Sequence, residues 1–188
     1  MLYIIITISL ILLSAFILLP KFSAINERYS LGINYFLTLV ATLVGVLLAI
    51  SITNHESNKK EQQDVIKLLG SSISSVETCH EYTKILIEYY DELPVEDPLK
   101  NEFYTKNEPP YPEYLDIFLM QNIVSKNLSG DALSELNEKV INLKRSRNTD
   151  ATVYLSFLEQ TLKVLSSELA YQKEEIDKEK LKRELNGL

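Results

Sequence analysis

Residues 31–53 read LGINYFLTLVATLVGVLLAISIT, with no charged side chain among them. A helix of about 20 residues crosses the roughly 30 Å hydrocarbon core of a bilayer. The stretch is therefore expected to be a membrane span. A second uncharged run, LYIIITISLILLSAFILL, occupies residues 2–19. As a helix it rises about 27 Å, which makes it a second candidate span. It lacks the marks of a cleaved leader: no Lys or Arg precedes Lys21, and Pro20, Lys21 and Phe22 stand where small residues belong. The connection KFSAINERYSLG is short, so the two spans are expected to form a hairpin with both chain ends on one side. The chain then divides into a transmembrane hairpin at 1–53 and a charged, water-soluble part at 54–188.

The second run is sorted by size. With Asn34 at 0° and a step of about 100° per residue, Thr38, Ala41, Thr42, Gly45, Ala49 and Thr53 fall with it in one arc of roughly 120°. Leu37, Leu39, Val40, Leu43, Val46, Leu47 and Ile50 fill the rest of the circle. Lipid accepts leucine on every side, so the arc is expected to meet something else. Small residues let a second helix approach closely. Alternatively, several copies turn the arc towards water, with Asn34, Thr38, Thr42 and Thr53 lining a pore. Two spans cannot enclose a path alone, so a homo-oligomer is expected, a tetramer being one candidate. The first run carries Thr7, Ser9, Ser14 and Ala15 without such a stripe and reads as lipid-facing. No charge lies in either run, which argues against a proton relay or ion-coupled transporter.

The soluble part reads as helix. Ile66, Leu69, Ile73, Val76, Ile87 and Tyr90 recur at helical spacing, and no proline interrupts the path from the second span. Five of the six prolines fall at 94–112 and predict an ordered loop, with one helical turn near 99–104. Further helices are expected at 113–127, at 131–147 and from Asp150 onward, the last carrying Val153, Phe157, Val164, Leu165 and Leu169 as its apolar residues. Asn148-Thr149-Asp150 serves as stop and N-cap together. The tail QKEEIDKEKLKRELNGL, with Glu174–Lys178 and Glu179–Arg183 four apart, reads as a solvated helix. The expected fold is all-α: a two-helix transmembrane hairpin followed by an antiparallel bundle.

Net charge is −7, and residues 77–116 hold 11 Asp and Glu against 3 Lys. That balance argues against broad nucleic-acid binding. Lys59, Lys60 and Lys67 follow the second span, against Lys21 and Arg28 in the hairpin loop. The bias, with a single cysteine, favours a cytoplasmic soluble part. Cys79-His80 invites a catalytic or metal reading, but adjacent helical side chains diverge by about 100°. No phosphate loop, nucleophile elbow or paired-cysteine motif is present. The chain is therefore read as a non-enzyme without metal or cofactor. Lys144-Arg145-Ser146-Arg147 is the densest basic cluster. It suits a helix C-terminus; the alternative is an anionic ligand, a nucleotide or short oligonucleotide, held by Lys144, Arg145 and Arg147.

The pattern G-V-L-L-A-x-x-x-x-N from Gly45 to Asn54, followed by Lys59, Lys60 and a charged helix, resembles small prokaryotic two-span effectors of antiphage defence. The nearest likeness is to the membrane effector of the Hailong system. That resemblance implies an oligomeric channel gated by an oligodeoxyadenylate from a partner nucleotidyltransferase. The leading expectation is thus an oligomeric membrane effector that forms a gated channel or disrupts the bilayer. The alternative is a membrane-anchored scaffold whose acidic face, 77–116, docks a regulatory protein partner.

Overall fold

Apolar runs at helical spacing, short polar breaks and clustered prolines leave helix as the only regular element among the described residues, 2–17 and 29–187 of a computed structural model. Helix α1 spans Leu2–Ile17 and α2 spans Ser30–Glu92, a single helix of 63 residues. A 3₁₀ turn, Pro98–Glu102, leads into α3, Phe103–Lys106. Then come α4 (Glu113–Leu119), α5 (Asn122–Asn127), α6 (Gly130–Ser146), α7 (Ala151–Gln172) and α8 (Lys178–Leu185). The chain divides into two units, Met1–Lys60 and Glu61–Leu188, with α2 running through the boundary.

In the first unit the hairpin expectation is met only in part. Among the described helices α2 alone is long and apolar enough to cross a membrane. Helix α1 has 16 residues and rises about 24 Å, short of a roughly 30 Å hydrocarbon core. The end of the expected first span and the connecting turn, within 18–28, lie outside the described residues.

The second unit is held by three seams with heptad spacing. On α2 the buried positions are Val65, Leu69, Ser72, Val76, Cys79, Thr83 and Leu86, alternately four and three apart. Helix α6 repeats the rhythm with Ala132, Leu136, Lys139, Leu143 and Ser146, and α7 with Tyr154, Leu158, Thr161, Leu165, Glu168 and Gln172. Such spacing lets side chains interdigitate at shallow crossing angles. Gln62 bonds to Gln172 and His80 to Glu159, so α2 and α7 run antiparallel. The short connection between α6 and α7, residues 147–150, makes that pair antiparallel as well. Asp150 caps α7 by accepting from the Thr152 and Val153 amides.

Three local expectations are corrected. The helix expected at 113–127 is broken, because Gln121 is extended. Val124 lies six residues after Phe118, which on a continuous helix is about 120° round from it. The break resets the phase so that both are fully buried. On α7 the buried seam runs through Tyr154 and Leu158, while Val153 is 43 % exposed and Phe157 only half-buried. The tail is also no solvated extension. The chain reverses at Glu174 and α8 folds back, burying Leu181 and Leu185 in the core.

Candidate functional site

The sorted arc of α2 is fully open in the single chain. Asn34, Thr38, Ala41, Thr42, Gly45, Ala49 and Thr53 are all exposed. The less exposed residues of the same stretch are Ile33, Leu37, Val40, Val44, Leu47 and Ser51. At about 100° per residue, the two sets centre roughly 140° apart. A groove of about 540 Å³ flanks the arc, lined by Tyr35, Thr38, Leu39, Thr42, Leu43 and Val46. A Cβ built on Gly45 meets nothing within 4 Å. Glycine inside a helix costs about 1 kcal/mol relative to alanine, and no neighbour among the described residues requires it here.

The threonines explain themselves differently. Thr38 Oγ1 donates to the Asn34 carbonyl at 2.8 Å, Thr42 to Thr38 at 2.9 Å and Thr53 to Ala49 at 2.9 Å. Each hydroxyl proton is satisfied one turn back on its own helix. The threonines therefore tolerate an apolar neighbour as readily as water. What singles out this face is the size of its side chains, and after that the Asn34 amide, which has no partner among the described residues.

In the second unit the basic cluster is tied to its own chain. Lys144 Nζ lies 2.8 Å from an Asp116 oxygen and 5.4 Å from the Tyr111 ring centre. Arg147 Nε donates to the Pro109 carbonyl at 2.8 Å, and its guanidinium stands 3.5 Å from Glu108. Tyr154, fully buried, donates to the Pro110 carbonyl at 2.8 Å. These bonds pin the proline-rich loop against α6 and α7. Arg145 is exposed and makes no ion pair among the described residues. The groove of about 490 Å³ beside Lys144 and Arg147 also presents Glu113 and Asp116, so its charges nearly balance.

Cys79 and His80 part company as helical geometry requires. Cys79 is buried, and burial raises its thiol above the ordinary value. His80 reaches Glu159 at 3.3 Å. No group of three His, Cys, Asp or Glu that could hold a metal occurs among the described residues.

The sequence reading missed the polar knot at Glu168. This fully buried carboxyl accepts from the Ser129 amide at 3.0 Å, the Ser129 hydroxyl at 2.6 Å and Gln172 Nε2 at 2.8 Å. Gln172 also donates to the Asn127 carbonyl at 2.9 Å, and Gln62 donates to the Gln172 carbonyl at 2.6 Å. The knot joins α2, α5, α6 and α7 and leaves the buried acid satisfied, as burial demands. A glutamate and a glutamine at heptad spacing on α7 were its only sequence signal. Set against known proteins, the chain matches no family model, no curated protein and no solved structure.

Proposed function

We propose that the chain is an integral membrane protein with two N-terminal spans, that its copies assemble through the small-residue face of α2, and that the assembly is a gated channel. The observation that carries this reading is the exposed arc of small residues on α2, Ala41, Gly45 and Ala49 four apart at its centre. Another α2 packed on that face supplies a reason for the arc, because small residues allow close backbone approach.

Insertion in a bilayer has its own support. About fifteen large apolar side chains of the first unit are well exposed. Moving them from water into hydrocarbon gains about 1.5–3 kcal/mol each where burial is complete, tens of kcal/mol in sum, which favours insertion. The apolar part of α2 belongs to the same helix as the residues that begin the second unit's seam. The opening signal is proposed to act on the bundle, as an anionic ligand or a protein partner. A role in antiphage defence follows from the resemblance to the Hailong effector and is part of the same proposal.

The test uses full-length protein in nanodiscs and in cells. Wild type is expected to show a mass of several subunits and to depolarise cells when its signal is present. Gly45→Leu is expected to run as a monomer and to leave the potential intact. A monomeric wild type, or a Gly45→Leu variant with unchanged mass and activity, overturns the reading.

A further inference from the structure

The soluble part of α2 presents a second open face. Tyr82, Ile85 and Tyr89 lie three and four apart on one side and are 54 %, 62 % and 55 % exposed. Tyr89 stacks on buried Phe103 at 5.7 Å and borders a groove of about 270 Å³ whose apolar walls include Leu86, Leu93 and Leu99. Along one flank of the stripe stand exposed carboxylates, Glu77, Glu81, Glu88 and Glu92; the groove on its other side carries Lys106, which is paired with Glu102. Of the four flanking carboxylates only Glu88 has a cation near it among the described residues, Lys84 at 4.0 Å. This face begins the segment 77–116, whose charge of 3 − 11 = −8 exceeds the whole chain's −7.

An exposed apolar stripe and a rim of unneutralised acids are both relieved by one kind of occupant. An amphipathic helix lays its apolar face on such a stripe, and flanking Lys and Arg meet the acids. We infer that this face docks a basic amphipathic helix of a partner protein. A second copy suits it poorly. Copies held in one bilayer run parallel, and a two-fold contact here would set Glu81 and Glu88 against their own counterparts. An anionic lipid surface would likewise meet like charge. The inference stands apart from the pore, and only its exclusion of a second copy rests on the proposed membrane insertion.

The probe is a synthetic 18-residue helix of leucine and lysine, with a leucine and glutamate counterpart carrying the same apolar face. Binding to the full-length protein in phosphatidylcholine nanodiscs is followed by fluorescence anisotropy. The lysine peptide is expected to bind saturably, one per subunit, and the glutamate peptide not at all. Tyr82→Asp with Ile85→Asp should weaken binding at least tenfold, and Glu81→Lys with Glu88→Lys should reverse the preference between peptides. All four positions are exposed, so unchanged thermal melting certifies that the variants fold. Binding no greater than to empty nanodiscs, or binding indifferent to both variants, overturns the inference. So does a changed assembly mass in the Tyr82→Asp, Ile85→Asp variant, which would make the face a contact between copies.

Discussion

Glu174 holds φ at +61°, the left-handed region that costs a residue with a Cβ about 1–2 kcal/mol. It closes α7: its amide bonds to Tyr171, and the Glu175 amide reaches back to Ala170. That pair of bonds is the helix-ending motif in which glycine is usual. Glu174→Gly is therefore expected to stabilise the protein by about 1 kcal/mol, raising the melting temperature by roughly 2–4 °C; Glu174→Ala should give no such gain. Nothing in QKEEIDKEK marked this turn, because the usual glycine is absent. Tyr154 was equally hidden, since its partner, the Pro110 carbonyl, lies 44 positions away. Burial raises the hydroxyl pKa of Tyr154 and of Tyr111 above the ordinary 10. As pH passes 10 the unfolded tyrosines lose protons while the folded ones keep theirs, so stability falls. Below pH 10 both states are protonated and the contribution is intact. Tyr154→Phe is expected to cost about 1 kcal/mol at neutral pH and to make the alkaline loss shallower, as read by denaturant unfolding from pH 8 to 11.

At the scale of the element, what could be read in advance was the number and placing of the long helices. Apolar spacing and the absence of proline set the course of α2, and Ser129 and Asp150 cap α6 and α7 where short polar residues interrupt the pattern. The exact seams were obscured because they admit polar residues: Ser72 and Thr83 on α2, Lys139 and Ser146 on α6, Thr161, Glu168 and Gln172 on α7. A hydrophobicity pattern discounts such positions and slips to Val153 and Phe157. Most of these groups have identifiable partners, Thr83 bonding to Cys79 and Thr161 to Phe157. Ser72 differs: its Oγ is fully buried and unbonded among the described residues. An unbonded buried hydroxyl is unfavourable, and alanine is also the better helix former. Ser72→Ala is expected to raise the unfolding free energy by about 1 kcal/mol with no change in the denaturant slope. The arc in the first unit was legible because small and polar residues gather in it at a step of about 100°, with Tyr35 and Ile52 the large side chains between 34 and 53 that share it. That its threonines bond backward was not, because helical Thr chooses between two χ1 rotamers and only one of them reaches the preceding carbonyl.

For the whole molecule, the physical question is how well α2 stays helical where the two units join. Its 63 residues cross the boundary at Lys60. Between the apolar part and the first core residue, Val65, lies the stretch NHESNKK at 54–60, every side chain exposed. No packing supports helix there, and Asn54, His55, Ser57 and Asn58 are weak helix formers. Helical stability in proteins comes mostly from a packed face, so this segment is where α2 opens first. Its amides are expected to exchange with solvent deuterium far faster than those of 65–86. Asn54→Ala, Ser57→Ala and Asn58→Ala together gain about 1.5 kcal/mol of propensity, which should slow exchange in 54–60 roughly tenfold and leave 65–86 unaffected. The same three positions changed to glycine should raise the local exchange rate without altering assembly mass, because the small-residue face lies outside the segment. If channel opening is driven through α2, the glycine variant assembles but fails to open, while the alanine variant opens normally. Uniform protection from 40 to 86 would show instead that α2 is equally stable throughout, leaving 54–60 no more able to yield than the seam beside it.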